Sequence, residues 1–471
     1  MRKDEICWMP ARELSRLMRQ KQLSPVEVVD AFLERIARVN PAVNAFCTVT
    51  AETAREEARE AEAMLMRRNR NGFGLLRGIP FSVKDLIPSK GARTTWGSRI
   101  FAEHISREDA PAVARMRAAG GIVLGTTNTP EFGWLGVTQN KLFGITRNPW
   151  DRERTSGGSS GGAAAAVVAG MSPLALGSDG GGSIRIPASF CGAFGFKPTY
   201  GRVPIHPHGT NWSISHVGPL TRTVADAALM MQVLAGYDER DPYALPSDGV
   251  DYLKELSASP RGIRIAWSSN LGYGTVDPEV AAICENAAMR FREFGCTFNA
   301  ADPKWPDPYH IWTTLFYGGY AARVAPLLVD HRDDLEPGLV AMTEEVLRWQ
   351  PERYIRAWVD RLVFCDAARV FFEPYDLLLA PAVACQPFEA GREHPTEIAG
   401  KELAPYRWLE LTYPFNLTGQ PAATVPCGFT KSGLPVGLQI VGRRFSDALV
   451  LAAAYRFEQA YPWYLKRPTL I

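Results

Sequence analysis

An imbalance of charge is what this 471-residue sequence most plainly lacks. It has 52 Lys and Arg against 50 Asp and Glu, which leaves a net charge of +2. No polybasic cluster and no aromatic RNA-binding signature is present, so we predict no nucleic-acid partner. The fractions of apolar residues, 46%, and of charged residues, 22%, are those of an ordinary globular protein.

Long apolar runs are also missing. No stretch approaches the roughly 18 apolar residues that a membrane-spanning helix requires. The first twenty residues mix both charge signs and contain no apolar segment of the kind that a signal peptide has. We therefore predict no membrane partner and a cytoplasmic location.

Metal and disulfide motifs are equally scarce. The sequence has no HExxH among its seven histidines, and its eight cysteines form no CxxC pair. This argues against a zinc ribbon and a disulfide scaffold, and favours reduced thiols. His206 and His208 lie two residues apart in a loop that contains proline. They could bind a metal as a pair, but two histidines in a solvated loop are the favoured interpretation.

The sequence gives little support for the common glycine-rich motifs, which are the two nucleotide-binding loops and the nucleophile elbow. There is no GxxxxGK[ST] sequence, and no GxGxxG follows a strand, so neither nucleotide-binding loop is supported. Gly158–Gly162 matches GxSxG, but the polar residues 147–154 precede it where a nucleophile elbow needs a strand. Asp376 and His394 keep the order of an α/β-hydrolase triad, and nothing else supports them.

Helices alternate with short apolar strands along much of the chain. Ser24-Pro25-Val26-Glu27 is a capped helix start, and we expect that helix to end at Pro41. The alternation predicts an α/β fold, a single αβα sandwich with a mixed, largely parallel central sheet covered by helices on both faces. We predict one domain over residues 1–471, with a mainly helical region at about 301–375.

Two glycine-rich turns with serines lie between Thr155 and Pro187. A strand pattern at 173–177 precedes the second turn, and a helix start follows it. Ser183 would thus lie at a helix N-terminus beside free backbone N–H groups, which suits an oxyanion hole. The alternative is a structural N-cap serine, which is common.

A serine nucleophile needs a base, and no histidine lies near a comparable motif. Lys84 ends the apolar strand pattern at 79–85, and burial of a lysine disfavours its charged form. Ser159, in the first turn, is the candidate bridge between Lys84 and Ser183. Alternatively, Lys84 pairs with the neighbouring Asp85.

Together these motifs resemble the amidase signature family of serine hydrolases. The resemblance covers nearly the whole chain and is weakest over about 240–370. The matching segments are Val83–Asp85, Gly157–Gly162, Gly181–Arg185 with Pro187, Gly192–Arg202, Gly218–Thr223, Phe415–Pro421 and Gly433–Gly442.

The resemblance implies a role for each matching site residue. Ser183 would be the nucleophile, Ser159 the bridging serine after a cis peptide bond, and Lys84 the general base. The oxyanion hole would be formed by the backbone N–H groups of Gly180, Gly181, Gly182 and Ser183. Three further residues would support this network: Ser160, Asp179 and Arg185. A structural ion pair under the turn is the alternative for Arg185. No metal or cofactor is implied.

The resemblance implies an amidase that hydrolyses a small-molecule amide, and also esters, anilides or carbamates. The triple glycine at 180–182 is similar to that of hydrolases of cyclic or xenobiotic amides. The alternatives are a glutaminase subunit of a tRNA-dependent amidotransferase and a non-catalytic binding relative. A homodimer stays open. Several aromatic residues could line a substrate pocket, although core packing is favoured for each: Trp134, Phe143, Trp305, Trp312, Phe316 and Tyr317.

Overall fold

A computed structural model describes residues 2–66 and 74–469. Eleven of its strands form one central sheet, and four short ones form two small hairpins. In chain order the strands are β1 (Phe46–Val49), β2 (Pro80–Lys84), β3 (Ile122–Thr127), β4 (Gln139–Asn140), β5 (Gly144–Ile145), β6 (Leu174–Asp179), β7 (Phe194–Lys197), β8 (His216–Thr221), β9 (Arg264–Trp267), β10 (Thr297–Ala300), β11 (Leu377–Pro381), β12 (Glu397–Ile398), β13 (Lys401–Glu402), β14 (Ala422–Phe429) and β15 (Pro435–Gly442).

The α-helices lie between and after these strands. They are α1 (Lys3–Cys7), α2 (Ala11–Arg19), α3 (Pro25–Val43), α4 (Ala51–Met66), α5 (Pro111–Ala118), α6 (Gly161–Val168), α7 (Arg185–Cys191), α8 (Val224–Leu234), α9 (Tyr252–Glu255), α10 (Pro278–Met289), α11 (Tyr309–Val324), α12 (Leu328–His331), α13 (Pro337–Val346), α14 (Pro351–Phe371), α15 (Pro414–Leu417) and α16 (Asp447–Ala460). The predicted helical region at 301–375 thus contains α11 to α14. Within the described residues no helix is long and apolar enough to cross a membrane.

The central sheet confirms the predicted α/β class and mixed pairing. Its strand order is β1-β3-β2-β6-β8-β7-β14-β15-β11-β9-β10. The expected predominance of parallel pairs is corrected, because six of the ten neighbouring pairs are antiparallel and four are parallel. The difference arises largely at β7 and β8, which the sequence patterns did not predict as strands and which pair antiparallel with each other and with β14 and β6.

Helices cover both faces of the sheet. Strand residues alternate between the faces, so Leu377 and Leu379 belong to one apolar cluster, and Leu378 and Ala380 to another. The first cluster includes side chains from α1 to α6, and the second includes side chains from α11, α13 and α14. Two buried layers on opposite faces give the predicted αβα sandwich.

A local signal explains the start of α3. The Ser24 hydroxyl accepts a hydrogen bond from the N–H of Val26, and the Glu27 carboxylate accepts from the N–H of Ser24, which completes a capping box. The helix runs through Pro41 and ends at Val43, so the expected end at Pro41 is wrong. Proline in the last turn removes only one intrahelical hydrogen bond, and Asn44 then ends the helix in a left-handed conformation.

Candidate active site

Three segments from separate parts of the fold converge at one cavity. Lys84 ends β2, Ser159 lies in the turn before α6, and Ser183 lies between β6 and α7. Because β2 and β6 are parallel neighbours, their carboxyl ends meet at the same edge of the sheet. Ser159 and Ser183 both line a cavity of about 270 Å³ at this edge, and Lys84 lies behind Ser159.

Lys84 is fully buried, and its amine is held by hydroxyl groups. The Nζ atom donates to Oγ of Ser159 at 2.7 Å and to Oγ of Ser178 at 3.0 Å. Burial lowers the pKa of Lys84 far below its usual range, while the carboxylate of Asp179 raises it to a lesser extent. A lowered pKa, which favours the neutral amine, and a hydroxyl within hydrogen-bond reach are the two features that a general base requires.

The alternative pairing of Lys84 with Asp85 does not occur. The Asp85 carboxylate accepts hydrogen bonds from the N–H of Thr95, the hydroxyl of Thr95 and the N–H of Gly97. Burial raises the pKa of Asp85 to about 6, and these hydrogen bonds counteract part of that effect. Asp85 thus anchors the loop at residues 95–97, and within the described part of the chain no carboxylate forms an ion pair with Lys84.

The two serines of the predicted relay lie on the same cavity wall. A cis peptide bond joins Gly158 to Ser159, as the family resemblance implied. The Ser183 hydroxyl is half-buried and accepts or donates no hydrogen bond among the described residues. Catalytic hydrogen bonds are often long before substrate binds, and Ser183 presents a free hydroxyl to the cavity.

The backbone next to Ser183 offers unused donors. Within residues 2–66 and 74–469, no group accepts a hydrogen bond from the N–H of Gly180, Gly181 or Ser183. The N–H of Gly182 differs, because it donates to Oδ1 of Asp179 at 2.7 Å. The predicted set of four donors is therefore reduced to three that are available to an oxyanion.

A buried ion pair supports this turn from below. The guanidinium of Arg185 contacts both oxygens of Asp179, at 2.9 and 3.0 Å, and both side chains are fully buried. Asp179 also accepts from the N–H groups of Gly182 and Ile184. Burial opposes ionisation of Asp179, yet Arg185 and the other donors lower its pKa below the usual range. Arg185 is thus the structural partner of Asp179, which is the alternative role considered for it.

Close packing fixes the shape of the glycine turn. The indole Nε1 of Trp312 donates to the carbonyl of Gly180 at 3.0 Å, and the Thr412 hydroxyl donates to the carbonyl of Gly181 at 2.6 Å. A Cβ atom at Gly181 would clash with the Trp312 indole. Gly182 has a φ of +124°, which favours glycine. These contacts fix the carbonyls of Gly180 and Gly181, and with them the peptide planes of the turn, while Gly180 and Ser183 line the cavity.

Ser160 joins the two glycine-rich turns. Its hydroxyl donates to the carbonyl of Ser178 at 3.0 Å, and its N–H donates to the carbonyl of Ser183 at 3.1 Å. Because Ser160 is fully buried, it is not the exposed nucleophile that a GxSxG elbow requires. Asp376 pairs with Arg264 far from any serine motif, which removes the remaining support for an α/β-hydrolase site.

Ser178 is a site residue that the sequence patterns missed. It precedes Asp179 on β6, and its side chain lines the cavity and holds Lys84. The alternation of a strand supplies a weak signal, because it puts Ser178 and Asp179 on opposite faces. That signal alone does not distinguish Ser178 from any other serine on a buried strand.

Aromatic and polar side chains form the remaining walls of the cavity. Among the aromatic candidates, Phe316 lines the cavity, whereas Trp305 packs in the core with Phe364 and Phe371. His206 and His208 lie at the rim and face different carboxylates, those of Glu108 and Asp241, so they do not converge on one point.

Comparison with known proteins shows the family of this chain. A family model described as Amidase matches residues 27–451. This chain belongs to the amidase family. The amidase-family chain is 40% identical to an acylamidase of Rhodococcus erythropolis over 477 residues, which cover 99% of this chain and 98% of that protein. It is 37% identical to a subunit of the glutamyl-tRNA(Gln) amidotransferase of Moorella thermoacetica over 495 residues, which cover 99% of each.

A solved structure of an amidase-family relative shares the fold. A bacterial aryl acylamidase of the amidase signature family has a TM-score of 0.91 and 34% identity to this chain, with 97% of each chain covered. The family resemblance drawn from the sequence motifs is thereby confirmed. Membership in the family makes the protein a hydrolase that acts on amide C–N bonds.

Proposed function

We propose that the protein hydrolyses carboxylic amides through an acyl-enzyme on Ser183, with Lys84 as general base and Ser159 as the relay between them. The observation that carries this proposal is the fully buried Lys84 amine, which lies 2.7 Å from the Ser159 hydroxyl and forms no ion pair with a carboxylate of the described residues. A lysine in this state accepts a proton, whereas a surface lysine would donate one.

The first half-reaction forms the ester. Lys84 takes a proton from Ser159, which takes one from Ser183, and the Ser183 oxygen attacks the amide carbon. The free N–H groups of Gly180, Gly181 and Ser183 stabilise the negative charge on the tetrahedral intermediate. One such donor is worth about 2.7–4 kcal/mol in other hydrolases. The C–N bond then breaks, and the proton returns through Ser159 to the leaving amine.

The second half-reaction releases the acid. Water attacks the acyl group on Ser183 while the same relay removes its proton. The tetrahedral intermediate collapses, and Ser183 regains its proton from Ser159. Arg185 and Asp179 hold the turn in place and take no part in the chemistry. The scheme assigns no step to a metal or cofactor.

The substrates we propose are amides of apolar acids or amines, with anilides first and esters and carbamates in addition. The names of the relatives, acylamidase and aryl acylamidase, support anilides. Phe132, Phe316 and Trp96 supply apolar wall to the cavity, which suits an aryl or alkyl group. Ester and carbamate carbonyls meet the same nucleophile and the same donors.

A second candidate is glutamine hydrolysis within a tRNA-dependent amidotransferase, supported by the Moorella thermoacetica relative. The two candidates differ in their need for a partner. The purified chain should hydrolyse aryl amides alone and prefer them to glutamine. Activity that is confined to glutamine and appears only with a partner protein would favour the second candidate.

The nucleophile can be tested directly. A fluorophosphonate probe should add one adduct to the protein at Ser183, located by mass spectrometry, and Ser183→Ala should neither react nor hydrolyse a 4-nitroanilide. Ser189→Ala serves as a matched control, because Ser189 lies on α7 nearby and outside the cavity. Wild-type turnover by Ser183→Ala would reject the scheme and with it the assignment of Ser183.

We also propose a cytoplasmic location and a homodimer. The eight unpaired cysteine thiols support a reducing compartment. Five apolar side chains of α14 are exposed along the helix, which suits an antiparallel second copy; they are Ile355, Val359, Leu362, Val363 and Val370. Light scattering should give twice the chain mass for the wild type and for Val329→Glu on α12, and the chain mass for Leu362→Glu. Recovery of the full chain outside the cytosolic fraction would contradict the location.

A further inference from the structure

A single guanidinium forms part of the cavity wall that the relay does not use. Arg323, near the end of α11, lines the same cavity as Ser159 and Ser183. Its guanidinium carbon lies 4.5 Å from the centre of the Phe132 ring and 5.4 Å from that of Trp96. Two aromatic faces therefore hold the cation at the cavity and supply part of its environment.

Among the residues that the structure describes, Arg323 has no counter-ion. Across the described ranges 2–66 and 74–469, neither a carboxylate at ion-pair distance nor a hydrogen-bond acceptor contacts its guanidinium. Of the described residues that line the cavity, Asp179 alone carries a carboxylate, and Arg185 already neutralises it. Partial burial lowers the pKa of Arg323, but a guanidinium stays charged. The cavity thus carries an uncompensated positive charge.

The two rings beside Arg323 are placed by unusual backbone. Trp96 has a φ of +55° and Phe132 a φ of +53°, the left-handed region that bulky residues rarely adopt. The N–H of Phe132 donates to the carbonyl of Trp96 at 2.7 Å, and Asp85 fixes the loop that contains Trp96. Such conformations cluster where a binding site demands them, and here both of them present a ring to the same cation.

Arg323 also lies close to the reacting groups. The hydroxyl of Tyr320, one turn earlier on α11, donates to the carbonyl of Phe132 at 3.1 Å. A Cβ atom at the next residue, Gly133, would lie 3.6 Å from that hydroxyl and 3.3 Å from the Ser159 Oγ. The wall that holds Arg323 therefore continues directly into the wall that holds the relay.

We propose that the preferred substrates carry a free carboxylate that binds to Arg323, so that the protein acts on amides of acidic compounds. This inference rests on the proposed amidase function and adds the substrate class. A partly desolvated guanidinium without a partner is costly, and its planar fork suits a carboxylate. The carboxylate takes no part in the chemistry, and the aromatic walls receive the apolar part of the molecule.

Matched substrates test the proposal. One pair compares glutaryl 4-nitroanilide with pentanoyl 4-nitroanilide, and a second compares N-acetyl-4-aminobenzoate with the N-acetyl derivative of 4-aminobenzamide. In at least one pair, the wild type should favour the acid in kcat/KM by about ten- to a hundredfold. Arg323→Met should abolish that preference while retaining activity on the neutral member, and Arg323→Lys should keep part of it. Arg353→Met, which removes a cation from the face of Trp349 outside the cavity, should leave the preference unchanged.

Two outcomes overturn the proposal and leave the amidase function intact. One is equal kcat/KM for the acid and the neutral member in both pairs, and the other is a preference that survives Arg323→Met. Binding supplies a readout that is independent of turnover. The same acidic amides should bind to Ser183→Ala in calorimetry and bind at least tenfold more weakly to Ser183→Ala/Arg323→Met. If no amide is hydrolysed, the proposed function fails, and this binding comparison still decides the role of Arg323.

Discussion

At the scale of single residues, the reactivity of the site depends on the solvation of Lys84. The amine lies among two serine hydroxyls in a fully buried position, and burial lowers its pKa far below the usual range. The fraction of neutral amine, and with it kcat/KM, should rise with pH through this lowered pKa. The plateau should be reached well below the pH at which a free lysine loses its proton.

Substitutions of Lys84 should show whether catalysis needs a base at this position or only a positive charge. Lys84→Met should lower kcat by about 10²–10⁴-fold, the range for removal of a general base, and higher pH should not restore it. Lys84→Arg should be equally impaired, because a guanidinium does not lose its proton. Initial rates on a 4-nitroanilide from pH 6 to pH 10 supply the measurement. A Lys84→Met profile that parallels the wild type would show that another group is the base.

The same burial affects stability. Folding lowers the pKa of Lys84. At a pH between the folded and the unfolded pKa, the amine is therefore mostly neutral in the folded chain and mostly charged in the unfolded chain. The wild type therefore loses stability as pH falls from the unfolded pKa toward the folded one. Relative to Lys84→Met, the free energy of unfolding should change by about 1.4 kcal/mol per pH unit in that window. Urea denaturation of both proteins at pH 7, 8 and 9 would reveal this slope, and parallel stabilities would contradict it.

Single residues also show how far sequence reasoning reaches. Lys84, Ser159 and Ser183 were predicted as site residues because their segments match the motifs of one family, and the structure brings Ser159 and Ser183 to one cavity with Lys84 bonded to Ser159. Their catalytic roles stay predictions. Ser178 and Arg323 were missed, because their significance comes from what surrounds them in three dimensions. A serine on a buried strand and an arginine on a helix carry no local signal, and only the missing counter-ion distinguishes Arg323.

At the scale of elements, α11 and the glycine turn depend on each other. The indole of Trp312 bonds the carbonyl of Gly180 and packs where a side chain at Gly181 would lie. The direction of the free N–H groups is therefore set in part by a helix more than a hundred residues away in the chain. The sequence predicted a helical region here, and it favoured core packing for Trp312.

Loss of that hydrogen bond should weaken the oxyanion site and spare substrate binding. Trp312→Phe keeps an aromatic ring against the turn and removes the donor to Gly180, so kcat should fall by about tenfold and KM should change little. Trp349→Phe is the matched control and should have no effect. The Trp349 ring stacks on Tyr317, which is on α11 like Trp312, but Trp349 itself lies outside the cavity. A change confined to KM would instead place Trp312 in substrate binding.

Strand pairing was harder to predict than strand existence. The apolar runs that became β2, β3, β6, β14 and β15 were identified within a few residues. β7 and β8 have proline or glycine within them or beside them, and those residues conceal the strand pattern. Since these two strands reverse the direction of the sheet, missing them led to the expectation of a largely parallel sheet.

At the scale of the whole molecule, the sheet interleaves distant parts of the chain. β7 pairs with β14, which is more than two hundred residues later, and Asp226 on α8 accepts hydrogen bonds from the start of α2. A cut anywhere between residues 12 and 422 would break at least one of these two pairings. One domain over residues 1–471 stays our prediction.

One domain should unfold as one unit. Calorimetry of the full chain should show a single transition, and loss of activity should coincide with it, because the relay spans β2 and the turns on either side of β6. Two separate transitions would contradict the prediction, above all if activity survives the first. The Ser183→Ala variant should unfold at a similar temperature, since its hydroxyl has no hydrogen bond within the described part of the fold.

Helix α11 has a consequence for how this protein could diversify. Its successive turns present Trp312 to the glycine turn, then Phe316 and Tyr320 to the cavity, and finally Arg323 to the aromatic wall. One continuous helix thus supports the proposed oxyanion site and also carries the residue proposed to select the substrate. Substitutions in its last two turns would change which amides the protein accepts. The first turn, and the contact of Trp312 with the glycine turn, would be retained.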